Sequence, residues 1–113
     1  MDTFKVKTGD LEPALTLQLL SDGQPVSIHQ AMNATVVVRA QRGATTPKVR
    51  RQGTILDQNT AQTRGLVKLV WQPGDTDTAG TYYVEVEIEW TAGRKQTFPG
   101  DGYALMNIEA DLG

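Results

Sequence analysis

Three groups of residues in this sequence have the types that site chemistry requires. The first is acidic. Asp75 and Asp77 stand in "QPGDTDTAG", and Asp101 lies further on, so three carboxylates could hold a hard cation such as Ca²⁺. The "GDTD" spacing lacks the EF-hand order of alternating oxygen ligands, a turn glycine and a closing bidentate glutamate. Asp and Thr side chains also bond to nearby backbone amides and so shape turns. The loop is therefore read as a capped turn rather than a metal site. The second group is nucleophilic. His29 is the one histidine, and Ser21 and Ser27 are the two serines. Neither serine stands in a G-x-S-x-G elbow, so a nucleophile–base pair is not expected. The third group is Glu85 and Glu87, the residue types of a glycosidase acid pair. Nothing beside them would raise one pKa, and a solvated carboxylate is not poised as an acid at neutral pH. No phosphate-binding or dinucleotide glycine pattern is present. The sequence thus assigns no catalytic residue, no cofactor and no metal, and a non-enzymatic role is expected.

Charge points to surfaces instead. The chain has 113 residues and a formal net charge of −2. That balance gives no general attraction to nucleic acid or to membranes. Its distribution is uneven. Arg39, Arg42, Lys48, Arg50, Arg51, Arg64 and Lys68 face a single acid, Asp57, in the middle of the chain. From Asp75 onward lie Asp77, Glu85, Glu87, Glu89, Asp101, Glu109 and Asp111, against Arg94 and Lys95. The basic stretch "PKVRRQG" could touch phosphates, but no aromatic residue lies between Phe4 and Trp71 to stack on bases. A protein partner with an acidic surface fits better. The candidate interaction residues are Arg39, Arg42, Lys48, Arg50 and Arg51 on the basic side and Glu85, Glu87 and Glu89 on the acidic side. Pairing of one copy's basic segment with another copy's glutamates would make a salt-sensitive homo-oligomer.

The elements that must position these groups are strands. There is no cysteine, so disulfides and thiolate sites are excluded. A length near the commonest domain size suggests one domain over residues 1–113. No apolar run approaches the roughly 20 residues that span a bilayer, and "MDTFKVKTGD" lacks the apolar core of a secretory signal. Alternating or β-branched runs recur: "TFKVK", "ALTLQLL", "VSIHQA" as a short return strand, "ATVVVRAQ", "KVRRQGTILD" with Gly53 as a possible bulge, "GLVKLVWQ", "TYYVEVEIEWT", "KQTFP" and "YALMNIEA". Asp22-Gly23 marks a hairpin turn. Only "HQAMNA" hints at a helix, and it is short. Strands at this spacing, with no helical period, predict an all-β sandwich or barrel.

The run from 81 to 91 is the clearest element. Val84, Val86, Ile88 and Trp90 share one side, and Glu85, Glu87 and Glu89 share the other. One buried and one solvated face are expected. Burying each apolar side chain stabilises the fold by about 1.5–3 kcal/mol.

The stretch "DTAGTYYVEV" resembles the Asp-x-Ala-x-x-Tyr approach to a core strand in immunoglobulin-like domains. Under that resemblance Asp77, Ala79, Gly80 and Tyr82 would form a tyrosine corner, with the Tyr82 hydroxyl bonded back to the loop. The cysteine pair of antibody domains is missing, and Trp71 lies on the strand before the corner. A wider likeness covers about residues 4 to 109. "VKTGDLEPALTLQLLSDGQPVSI" and "LVWQPGDTDTAGTYYVEVEIEWTAGRKQTFPGDGYALMNI" resemble the two halves of the phage baseplate upper protein N-terminal domain. That resemblance implies an immunoglobulin-like β-sandwich of about seven to nine mostly antiparallel strands. It implies a phage virion structural protein, assembled in the host cytoplasm, that acts as a tail or baseplate adaptor. Its partners would be other virion proteins, with no membrane and no nucleic acid. A capsid decoration protein bound to the major capsid protein is the alternative within that class. A carbohydrate- or receptor-binding module is the alternative outside it. Phe4, Trp71, Tyr82 and Trp90 are expected to be buried, which leaves Tyr83 and Tyr103 as aromatics that could meet a glycan.

Overall fold

The computed structural model describes residues 4–40, 46–91, 93–99 and 104–110. These residues form an all-β fold of eleven strands: β1 (Phe4–Lys7), β2 (Leu15–Gln18), β3 (Leu20–Ser21), β4 (Gln24–Pro25), β5 (Asn33–Arg39), β6 (Val49–Gln52), β7 (Thr54–Ile55), β8 (Leu66–Leu69), β9 (Gly80–Thr91), β10 (Arg94–Phe98) and β11 (Ala104–Glu109). The larger sheet runs β1-β11-β9-β5-β6, and β10 also pairs with β9. The smaller runs β2-β8-β7, and β3 with β4 makes a separate hairpin. The pairings are antiparallel except for β1 on β11, which is parallel.

The long strand β9 organises the larger sheet. Its first half pairs with β11, its second half pairs with β10, and β5 lies along its other edge. Period-two alternation turns Tyr82, Val84, Val86 and Ile88 inward, where each is at most 4% exposed. They meet Leu15, Val67 and Leu69 of the smaller sheet in one hydrophobic cluster, so the two sheets face each other across a shared core. Trp71 fills that core too, and its indole N–H donates to the Pro13 carbonyl at 3.1 Å. Phe4 and Trp90 are only partly buried, contrary to expectation. Trp90 lies near the end of β9, and its indole N–H donates to Gln96 Oε1 at 3.0 Å. An indole needs a polar partner, and here it finds one at the rim of the sheet.

Asp22 and Gly23 have φ of 51° and 79°, the pair of positive values that a two-residue type I′ hairpin needs. The expected return strand "VSIHQA" does not form: strand pairing ends at Pro25, residues 26–28 lie outside any strand, and residues 29, 30 and 32 form turns and a bend. Gly53 is not a bulge. It stands between β6, which pairs in the larger sheet, and β7, which pairs in the smaller one. A Cβ at Gly53 would lie 3.0 Å from the Lys68 carbonyl oxygen and 3.1 Å from methyls of both Val36 and Val67. The chain crosses between sheets there because only glycine is thin enough to pass.

Candidate interaction surface

Alternation puts most of the candidate charged residues on one side of one sheet. The outward side chains of β9 are Tyr83, Glu85, Glu87 and Glu89. Register sets Asn33 opposite Glu89, Thr35 opposite Glu87, Val37 opposite Glu85 and Arg39 opposite Tyr83 on β5. On the other flank Lys95 stands opposite Glu89 and Leu105 opposite Tyr83. Arg50 joins from β6, opposite Val37. Arg39, Arg50, Glu85, Glu87 and Glu89 thus share the outer face of the larger sheet. Arg42 lies outside the described residues, as do Asp101, Tyr103 and Asp111.

The glutamates are half-buried rather than fully solvated. Neighbours on both flanks account for this. Arg50 grips Glu87 with both guanidinium nitrogens, at 2.8 and 3.3 Å. The Glu87 hydrogen bond and charge raise the Arg50 pKa further above its ordinary value, so the guanidinium stays charged. Asn33 Nδ2 donates to Glu89 Oε1 at 2.9 Å. Val37 points outward on this face and still is only 1% exposed. Its cross-strand neighbours Arg50 and Glu85 flank it, and long charged side chains cover apolar surface with their stems. Leu105 remains 38% exposed beside Tyr83.

The other two basic candidates go elsewhere. Lys48 pairs with Asp77 at 2.6 Å and donates to the Gly74 carbonyl oxygen at 3.4 Å. Arg51 pairs with Asp75 at 2.5 Å and also donates to the Val70 carbonyl oxygen. Both clamp the loop before β9 against β6. Asp75 caps its own turn as well, accepting from the Gln72 amide at 2.8 Å. The hydrogen bond from Lys48 is the main cause that lowers the Asp77 pKa, helped by Thr78. The Asp-rich loop is therefore a turn held by cations of its own chain. Among the described residues no three His, Cys, Asp or Glu side chains group to hold a metal. Lys48, Arg50 and Arg51 of the basic segment thus each meet an acid of their own chain.

The loop ends at Tyr82. Its hydroxyl donates to the Thr78 carbonyl oxygen at 2.7 Å, and Gly80 takes φ 154°, where a Cβ would lie 3.7 Å from the Tyr82 ring. Asp77 and Ala79 flank that bond on exposed positions. Tyr82→Phe is expected to lower the unfolding free energy by about 1 kcal/mol, the net worth of one such bond. Urea titration at constant m-value measures it, and an unchanged midpoint would remove the hydroxyl from the account.

One residue the sequence reading passed over is Asp57. It is 7% exposed, and its carboxylate accepts from the amides of Ile28 (2.8 Å), Gly65 (3.0 Å) and Asn59 (2.8 Å). Burial pushes its pKa up, but the three amides and the nearby charge of His29 outweigh that and hold the carboxyl below its ordinary value. The signal in the sequence was a lone acid in a basic stretch, two residues before an Asn. His29 itself contacts Ser27, Oγ to Nδ1 at 2.9 Å on the surface. The Asp57 oxygens bond to backbone rather than to the imidazole, so the three do not line up as a charge-oriented triad.

Set against known protein families, curated proteins and solved structures, the chain gives no match, so its own residues must carry the functional reading.

Proposed function

We propose that this chain is an immunoglobulin-like β-sandwich that serves a phage virion as a small tail or baseplate adaptor, binding other virion proteins through the outer face of its larger sheet. The virion context comes from the likeness to the baseplate upper protein N-terminal domain. The immunoglobulin-like reading is supported by the sheet orders β1-β11-β9-β5-β6 and β2-β8-β7 and by the parallel pairing of β1 with β11. The bond from Tyr82 to Thr78 supports it as well.

The observation that carries the adaptor role is the composition of the outer face. An exposed Leu105 and a half-buried Tyr83 share the face with the Arg50–Glu87 ion pair and the Asn33–Glu89 hydrogen bond. Protein interfaces combine aromatic and apolar anchors with arginine and a polar surround, and gain register from the charges. Immunogold labelling of particles made by the genome that encodes the chain tests this. Label at the tail end is expected, and a Tyr83→Arg, Leu105→Glu variant that melts like the parent should be lost from the particles. Particles without label overturn the virion reading, and a variant retained at full occupancy overturns the face.

A further inference from the structure

The edges of the two sheets are not alike. In the larger sheet β1 carries Lys5 and Lys7, β6 carries Arg50 and Arg51, and β10 carries Arg94 and Lys95. Charged side chains on an edge strand deter pairing with another chain. In the smaller sheet β7 is only two residues long. The remaining edge is β2, "LTLQ", and it carries no charge, no proline and no register shift. The uncharged run extends from Pro13 to Ser21. Among the described residues β8 pairs with one side of β2 and no strand pairs with the other.

An apolar pocket of about 50 Å³ opens along β2 and the β9–β10 pair. Leu17, Leu19, Leu20, Val84, Phe98 and Pro99 line it. Leu20 is 37% exposed and Leu17 is only partly buried, so the apolar surface continues from the pocket onto the strand edge. An open edge supplies backbone hydrogen bonds and an adjoining pocket takes a side chain, which are the two parts of strand addition.

We infer that β2 is a self-association edge, where a second copy of this chain pairs its own β2 antiparallel and joins the two smaller sheets into one. The occupant follows from the edges themselves. Other edge strands of four residues or more carry two cations each, which an apolar pocket rejects. Among the described edge strands of that length, β2 alone brings no charge against a copy of itself. Two identical strands paired antiparallel are related by a two-fold axis, so the contact closes as a dimer rather than growing into a fibre. Leu17 and Leu20 of each copy would then face the partner's pocket rim and leave water.

This contact lies apart from the outer face of the larger sheet, so the two can fail separately. Sedimentation equilibrium of the full chain is expected to show a concentration-dependent dimer. Thr16 is exposed on β2 between Leu15 and Leu17. Two lysines brought close across the two-fold axis repel, so Thr16→Lys should weaken the dimer at least tenfold, whereas Thr54→Lys, which faces the same Lys68 of β8 from its other flank, should leave the dimer intact. Hydrogen exchange at the amides of residues 15–18 should slow as the parent dimerises. A Tyr83→Arg variant should dimerise unchanged. The inference is overturned by a chain that stays monomeric at every concentration. It is equally overturned by a dimer that Thr16→Lys leaves intact, or by one that Tyr83→Arg dissolves.

Discussion

Replacing Asp57 by alanine is expected to lower stability by about 2–6 kcal/mol, a loss rarely produced by an acidic residue. The carboxylate is 7% exposed and accepts from three backbone amides in three separate segments. The bonds from Ile28 and Gly65 are buried. A buried donor left without a partner costs about 1–3 kcal/mol, because water cannot replace the lost acceptor. Two such donors give the range. Asp57→Asn keeps one acceptor oxygen but turns an NH₂ group toward an amide donor, so a smaller loss is expected. Urea unfolding of the three proteins at neutral pH measures the order. If the alanine variant unfolds within about 1 kcal/mol of the parent, comparable to a single bond, the three amides have found other acceptors and the tie is not structural.

The same carboxylate sets a direction for pH. A carboxyl whose pKa lies below its unfolded value binds its proton more weakly in the folded chain. As pH falls through the unfolded value near 4, the unfolded chain takes up the proton first, and stability drops from there down to the folded value. Above about pH 4 the contribution of Asp57 is fully present. Asp77 is lowered as well, by Lys48, and adds to the slope in the same window. The parent is therefore expected to lose stability on acidification below about pH 4, and Asp57→Asn should lose less over that span. Thermal melts across this range check it. An equally steep decline in the variant would move the effect to other acids.

What the sequence disclosed depended on whether the governing interactions were local. The faces of β9 were legible because side-chain alternation needs no partner, and the Asp22-Gly23 hairpin was legible because positive φ is written in those two residues. Gly53 was visible as a special position but not as a crossing. A bulge and a crossing both call for glycine, and the difference lies in Val36, Val67 and Lys68, which arrive from other strands. Asp57 could not be read because Ile28 is 29 residues away and its amide has no side-chain signature. The charge split announced that cations and acids would meet. It could not say that Arg50 and Glu87, 37 residues apart, would meet within one chain, on strands that flank a third.

Gly65→Ala carries the second large expected effect, about 2–4 kcal/mol, and its cause separates into two parts. Gly65 has φ +79°, a left-handed conformation that costs a residue with a Cβ about 1–2 kcal/mol. Space adds the rest. A Cβ there would lie 2.9 Å from the Leu19 carbonyl oxygen and 3.1 Å from that of Val26. Both are backbone atoms, so relief requires moving a chain rather than turning a side chain. The segments are fastened: the Leu19 amide donates to the Gly65 carbonyl oxygen at 2.8 Å, and the Val26 amide donates to Leu19 at 2.9 Å. Gly23 supplies the control, since its φ is +79° and nothing lies within 4 Å of its missing Cβ. Gly23→Ala should cost about 1–2 kcal/mol, the conformational part alone, and the difference between the two variants isolates the close approach. Because the Gly65 amide is also a donor to Asp57, a shift of its backbone loosens that bond. The double variant with Asp57→Ala should then lose less than the two single losses added together, as expected for residues that share an interaction. Equal costs for Gly65→Ala and Gly23→Ala would mean that the backbone at Leu19 and Val26 yields freely, and strict additivity would mean that Asp57 and Gly65 act independently.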